Sequence, residues 1–533
     1  MRIKQTLVFG LCLMALSGCN DDTVDVALDD ASSPATLHVE QAGRYQVSPF
    51  AFDEGAAEIL AYDARLARLY VVNSSARTVD VFDVSDPDNL NRIGQIDATA
   101  EGASANSVAV SRRTVAVAIE ADDKTAPGQV VFYNASDLSK LGEAEVDALP
   151  DMVTFTPDGQ HVLVANEGEP SDDYTTDPEG SVSVIDVSAG FSQPAVATAD
   201  FTRYNDQAED LRAAGVRIFG PNASVAEDLE PEYIAVADDN DTAYISLQEN
   251  NAIATLDIEN AGITAIEALG TKDHSLDGQG IDPSNEDGFA VRPVPVHGMY
   301  QPDTIAVFEQ NDTRYLLTAN EGDARDYDGF SEEADVKDLD LDPAAFPNAA
   351  EQQADSALGD LKVTTTRGDT DNDGDYDALY AFGARSFSIR RADNAALIYD
   401  SGDDFERITG DRYGDRFNAD NTTNEGDDRS DNKGPEPEAL ATGRLGAHRY
   451  AFVGFERMSG FAVYNLSDID APAFVTYINH RDLDVDPASG NAGDLAPESI
   501  VFIGADEAPG EQALLAVGNE VSGSTTLYRL SLE

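Results

Sequence analysis

Short apolar runs recur along the chain in a fixed order. A small or acidic residue opens a strand, a turn follows, and a second apolar strand ends in Glu or Asn. The third unit reads "DMVTFTPDGQHVLVANE" (151–167) and the fifth "DTIAVFEQNDTRYLLTANE" (303–321). Matching units span 58–73, 107–120, 232–249, 438–456 and 498–520. A third strand follows each, as in "SVSVIDVS" (181–188) and "GFAVYNLS" (460–467), with apolar and polar residues alternating. Turn punctuation such as Pro-Asp-Gly separates the first two strands. Seven repeated units of antiparallel strands predict an all-β chain, a seven-bladed β-propeller. Two separate β-sandwiches would not require seven matching units. The early strand "TLHVEQAGRYQV" (36–47) is expected beside "TTLYRLSL" (525–532), closing the ring. Helical periodicity is scarce; residues 346–358 are read as one short helix.

The repeat places acids in register. The opening acid recurs as Glu58, Asp151, Glu232, Asp303, Glu438 and Glu498, with Ser107 interrupting the set. The end of the second strand carries Glu120, Glu167, Glu249, Glu321, Glu456 and Glu520, with Asn73 in the first unit. In an antiparallel pair the start of one strand adjoins the end of the next, so both sets are expected at one mouth of the axis. Carboxylates that close repel, and need cations or protons to coexist. Oxygen-only ligands favour Ca²⁺, with another divalent metal as the alternative. Local capping of loop N–H groups by each acid is the plainer reading.

Long polar insertions at 199–226, 270–298, 322–380 and 402–434 interrupt the repeat, all expected on one face. One contains "DTDNDGDYDALY", with Asp369, Asp371, Asp373, Asp375 and Asp377 at alternate positions and Gly374 at the sixth. This matches the start of an EF-hand loop, although position twelve is Tyr380 and no helical pattern flanks it. A Ca²⁺ loop outside an EF-hand is expected. Scarce cations cluster near the acids: His274, Arg325, Arg385, Arg429, Lys433, Arg457, His480 and Arg481. They either neutralise neighbouring acids or, with bound metal, hold a phosphate or other oxyanion. Arg325, Arg385, Arg429, Lys433 and Arg457 are the candidates for that contact.

The 533 residues carry 100 Asp and Glu against 34 Lys and Arg, a net charge of −66. That balance excludes a nucleic-acid partner. It suits a protein working at high salt, or one that concentrates divalent cations. No G-x-S-x-G elbow, H-E-x-x-H pair or Walker loop is present. The N-terminus combines Arg2 and Lys4, the apolar "TLVFGLCLMAL" and "LSGC" ending at Cys19. Residues 1–19 therefore read as a lipoprotein signal, with Cys19 the lipidated residue. Residues 20–35 form a polar tether, and 36–533 a single domain. The only other cysteine, Cys12, lies in the signal, which leaves no thiol chemistry downstream. An exported bacterial lipoprotein is expected, held to the outer membrane or cell surface through its lipid and otherwise monomeric.

The stretches "GQHVLVANEGEPSDDYTTDPEGSVSVIDVS", "GMYQPDTIAVF", "TANEGDARDY", "DYDALYAFGARSFSI" and "DDRSDNKGPEPEAL" resemble the choice-of-anchor I domain over roughly residues 40–533. That family includes relatives of mesenchyme-specific cell-surface glycoproteins. The resemblance implies a propeller on a secreted or surface-anchored protein. Some members are labelled alkaline phosphatase or are fused to phosphoesterase domains; no stretch of residues 1–533 reads as such a domain. Two functions follow as expectations: a Ca²⁺-binding propeller that takes a ligand or partner at its acidic mouth, or a metal-dependent phosphoesterase acting on a phosphate ester there.

Overall fold

The computed structural model describes residues 36–533. The signal, Cys19 and the tether lie outside the described residues. Among those described, seven four-stranded antiparallel sheets follow one another along the chain. Their first strands are Leu60–Asp63, Ala105–Ser111, Pro150–Phe155, Pro231–Val236, Ile305–Gln310, Pro437–Leu445 and Pro497–Ile503. Each first strand packs against the first strand of the next sheet, and the seventh packs against the first. A closed ring of radially arranged sheets is a β-propeller. The N-terminal strand Leu37–Gln46 pairs with the C-terminal strand Ser524–Leu532, from Leu37 opposite Leu532 to Gln46 opposite Ser524. The two ends of the described chain thus share one sheet, which latches the ring.

Alternation along the second strands builds the core. In the third sheet, Val162 and Val164 pack toward the second sheet, while Leu163 and Ala165 pack toward the fourth. Both faces are buried, so the strand reads as an unbroken apolar run. The fourth strands are different. Ala195–Asp200 buries only Ala199, and Asn91–Asp97 buries only Ile96. Outer strands face water, so the hydrophobic pattern does not reveal them.

Asn166 ends the second strand of the third sheet, and its amide donates to Ser181 Oγ and Ser183 Oγ at 3.1 and 2.9 Å. Asn320 does the same to Ser386 and Ser388 at 3.1 and 2.8 Å. Asn519 repeats the contact with Ser524 at 3.3 Å. The Asn of Ala-Asn-Glu-Gly is a buried tie between two strands, where its amide requires partners. The Glu that follows is left at the mouth.

The insertions are folded rather than loose. Thr271–Asp273, His297–Met299, Tyr380–Ala381, Lys362–Thr364 and Glu333–Asp335 form one five-stranded sheet. Two insertions, 270–298 and 322–380, therefore combine into a cap. Its own core includes Ile281, Val296, Val336, Leu361 and Leu379. The expected helix is reduced to Ala349–Gln352. A longer one, Asp404–Tyr413, occupies the stretch read as a polar loop. Its few apolar residues conceal it in the sequence, yet Phe405 enters the core between the fifth and sixth sheets.

Candidate functional site

The first strands begin with a bulge. In the second, third, fourth, sixth and seventh sheets the register slips just after the opening residue, at Ala105, Pro150, Pro231, Pro437 and Pro497. A bulge leaves a residue unpaired and re-aims its side chain. The slip covers Asp151, Glu232, Glu438 and Glu498 and so takes the ring acids out of regular pairing. Three assignments change. In the first sheet Asn73 pairs with Thr78 as Asn166 pairs with Ser181, so Ser74, not Asn73, is the equivalent of Glu167. In the second sheet Ala105 pairs with Ile119 and Ser107 with Ala118, so Asn106, not Ser107, is the equivalent of Asp151. In the fourth sheet Pro231 pairs with Leu247, which makes Gln248, not Glu249, the equivalent of Glu167. Glu249 lies one residue further out.

The two acid sets do converge. One carboxylate oxygen each from Asp303, Glu321 and Glu438 lie within 4.8 Å of one another, as do those of Glu167, Glu230 and Glu249, and of Glu321, Glu436 and Glu456. Glu58, Asp151, Asp303 and Glu498 line a cavity of about 250 Å³ on the axis, beside Tyr233 and Met152. Burial is the main force on these groups, and mutual repulsion adds to it. Glu232, Asp303, Glu438 and Glu498 are held well above the usual carboxylate range. Glu167, Glu230 and Glu456 are raised in the same way. Burial raises Glu520 as well. Asp151 and Glu249 are pushed up to about 7, and Glu58 to about 8.

Glu230 and Glu436 are site residues that the repeat alone did not single out. Each stands two residues before a ring acid, in the phrase Glu-Pro-Glu at 230–232 and 436–438. That duplicated phrase was the available signal. Their surroundings differ. Glu436 is completely buried and meets Arg429 at 2.7 Å, Arg457 at 3.0 Å and Lys433 at 3.4 Å. Burial alone would raise its pKa; Lys433, Arg457 and Arg429 instead hold it far below the usual range. Lys433 also reaches Glu321 at 2.8 Å, and Arg457 reaches Glu456 at 3.1 Å. This half of the mouth carries its own cations.

The other half carries fewer: Lys124 pairs with Glu169, two residues beyond Glu167, at 2.7 Å. Glu230 has one cation, Arg325, which donates from Nε to Glu230 Oε2 at 3.3 Å; its Nη2 lies 3.0 Å from Oε1 but out of hydrogen-bond alignment. Arg325 is itself buried and also binds Asp228, so it sits behind the site. Among the described residues, Glu249 Oε2, Glu232 Oε2 and Glu438 Oε2 are buried and accept no hydrogen bond. Gln248 Nε2 bridges to Glu321 Oε2 at 3.0 Å.

The remaining expected cations serve the scaffold. Arg385 donates to Glu406 and to the carbonyls of Asp282, Ser430 and Asn432, which fastens the 402–434 insertion to the cap. Arg481 donates to the carbonyls of Arg457, Asp420 and Thr423. His274 is buried with Nδ1 2.6 Å from the Gln279 carbonyl, and burial lowers its pKa to about 3. His480 packs on Tyr528, ring centroids 5.6 Å apart.

The acidic loop is a separate cluster. Its carboxylates form two groups that share Asp377: Asp369 and Asp371 on one side, Asp375 with Asp342 on the other. Asp342 comes from a neighbouring segment, joined through a bridge between Leu341 and Tyr376. Gly374 adopts φ 103°, a turn open to glycine, and its N–H donates to Asp369 at 3.1 Å. Asp373 enters neither group; its Oδ1 accepts from the Asp375 N–H at 3.2 Å.

A family model for the choice-of-anchor I domain matches residues 58–469. The chain belongs to the choice-of-anchor I family. Gigasin-3a of Magallana gigas is 32% identical over 189 residues, covering 33% of this chain and 66% of that protein, just under two thirds of its length. Among solved structures, the chain aligns with a Kuenenia stuttgartiensis hydrazine synthase chain at 12% identity and TM-score 0.46, covering 91% and 99% of the two chains. It aligns with the Myceliophteria thermophila Cps50 (Swd1) beta-propeller domain at 9% identity and TM-score 0.45, covering 92% and 99%. The propeller assignment rests on this chain's own strand pairing. No helix among the described residues is long and apolar enough to cross a membrane.

Proposed function

We propose that this choice-of-anchor I protein is a seven-bladed propeller that binds divalent cations, Ca²⁺ foremost, and presents them at an acidic mouth on the outside of a bacterial cell. The observation that carries this reading is the cation-poor half of the mouth. Glu249 is buried with a free carboxylate oxygen, and its cluster with Glu167 and Glu230 has only Arg325 behind it. A buried carboxylate without a hydrogen bond or counter-charge is costly, and a hard cation with oxygen ligands removes that cost. Glu167, Glu230 and Glu249 would hold one ion. Asp303, Glu321 and Glu438, with Glu232 and Glu498 nearby, offer a second position; Glu456 and Glu520 border it. A further ion in the Asp369–Asp377 loop would be held by Asp369, Asp371, Asp375 and Asp377, with Asp342, and would order the cap. The family, and the lipobox-like Leu-Ser-Gly-Cys at Cys19, support attachment to the cell envelope.

A phosphoesterase at the same mouth draws less support. Arg325 and Arg385 are committed to buried carboxylates, while Arg429, Lys433 and Arg457 converge on Glu436. Those cations answer acids already present. The test is direct Ca²⁺ binding by calorimetry and elemental analysis after dialysis, on the native protein and on a Glu167→Gln, Glu249→Gln double variant. The native protein should retain Ca²⁺ and the variant should bind at least one ion fewer. Equal stoichiometry in the two proteins would remove the mouth site from the proposal.

A further inference from the structure

Outside the mouth, one place reverses the character of the surface. Arg212, Arg217 and Arg367 line a cavity of about 270 Å³ with Val216, Ile218 and Phe219. They arrive from a helix, the segment after it, and the cap insertion. Three arginines sharing one cavity is unusual in a chain with 34 basic residues against 100 acidic ones.

Their commitments differ. Arg217 is buried, and its guanidinium is used up on Glu332, Thr364, Thr366 and the Glu249 carbonyl. It also lies over the Phe219 ring, 4.1 Å from the centroid. Arg212 pairs with the exposed Glu209 at 2.9 Å and donates its Nε to the Ile218 carbonyl. Its Nη2 has no acceptor among the described residues. Arg367 makes no ion pair and no hydrogen bond there; its guanidinium stacks over Tyr380 at 4.3 Å. Three guanidinium groups thus face two carboxylates, Glu209 and Glu332, which leaves one positive charge without a partner. Val216, Ile218 and Phe219 supply the apolar part of the same lining, with Arg217 and Arg325 over the Phe219 ring at 4.1 and 4.5 Å.

We propose that this cavity binds a small organic monocarboxylate, with the carboxylate on Arg367 and the free Nη2 of Arg212, and the apolar body against Val216, Ile218 and Phe219. A planar guanidinium pairs two N–H donors with the two oxygens of a carboxylate. Stacking on Tyr380 orients the Arg367 plane in advance, so less freedom is lost on binding. A doubly charged inorganic anion would find a single unmatched charge and no use for the apolar lining. The site does not depend on metal at the mouth.

The test uses benzoate as the probe, followed by ligand-detected NMR and calorimetry on the purified Ca²⁺-loaded protein. Benzyl alcohol serves as the uncharged analogue, inorganic phosphate as the competing anion, and Arg391→Gln as a control in an exposed ion pair with Asp393. Benzoate should bind. Benzyl alcohol should bind at least about tenfold more weakly, and Arg367→Gln should weaken benzoate by about tenfold or more. Arg391→Gln should leave binding unchanged. Because Arg367 has no ion pair to lose, its variant should keep the native melting temperature. No benzoate binding up to roughly 50 mM, equal binding of benzyl alcohol, or an unaffected Arg367→Gln variant would overturn the site. Displacement by phosphate at equal concentration would overturn the assigned ligand class.

Discussion

Without a bound cation, the mouth should make the fold weaker as the solution becomes more alkaline. Glu58, Asp151 and Glu249 have folded values of about 8, 7 and 7, raised first by burial. An unfolded carboxylate is already ionised near neutrality. The folded state therefore holds protons that the unfolded state does not, and stability falls as pH rises through those folded values. His274 has the opposite sign. Its folded value of about 3 lies below the ordinary 6.5, so it adds stability as pH rises to 6.5 and nothing beyond. The window from about pH 6.5 to about pH 8 isolates the acids. Across it, Glu58 accounts for about 1.5 kcal/mol, and Asp151 and Glu249 for just under about 1 kcal/mol each. These groups interact, so about 3 kcal/mol is a ceiling on their sum. For a domain of this size that is a fall in Tm of about 3 °C. Calorimetry in chelator should show the fall. Saturating Ca²⁺ should raise Tm and reduce the slope by the share of Glu249, because ion binding ionises that carboxylate in the folded state, while Glu58 and Asp151 keep theirs. A Tm that is level or rising with pH in chelator, or a slope that Ca²⁺ leaves unchanged, would refute the reasoning.

Three further outcomes are expected. Replacing Arg325 by Ala strands Asp228 and Glu230 in the interior and should cost about 3–5 kcal/mol in urea unfolding; a loss below about 1 kcal/mol would show that the pair is not buried as described. Deleting residues 36–46 removes the strand that pairs with Ser524–Leu532 and bares an edge. Size-exclusion chromatography should then show association or a lower melting temperature; an unchanged monomer would count against closure through this sheet. The double variant Asp371→Asn, Asp375→Asn should lose one Ca²⁺ by elemental analysis while the mouth sites stay filled, and unchanged stoichiometry would remove the loop as a site.

Hydrophobic alternation by itself determined the repeat. The second strand of each sheet is buried on both faces, as Val162 to Ala165 show, so seven apolar runs stand out in a chain rich in Asp and Glu. The same spacing brought the acids to one mouth, because strand starts and strand ends adjoin in any antiparallel pair. Tertiary structure decided the rest. Strand register exchanged Asn106 for Ser107, Gln248 for Glu249 and Ser74 for Asn73, and a one-residue offset leaves no trace in the apolar pattern. The outer strands were silent because water faces them. The cap was silent because its core draws Ile281 and Val363 from separate insertions, each too polar alone to signal a sheet. The difference between the two halves of the mouth was also beyond the sequence. Lys433, Arg429 and Arg457 converge on Glu436, and only Arg325 stands behind Glu230, because loops distant along the chain fold onto one side of the ring and not the other.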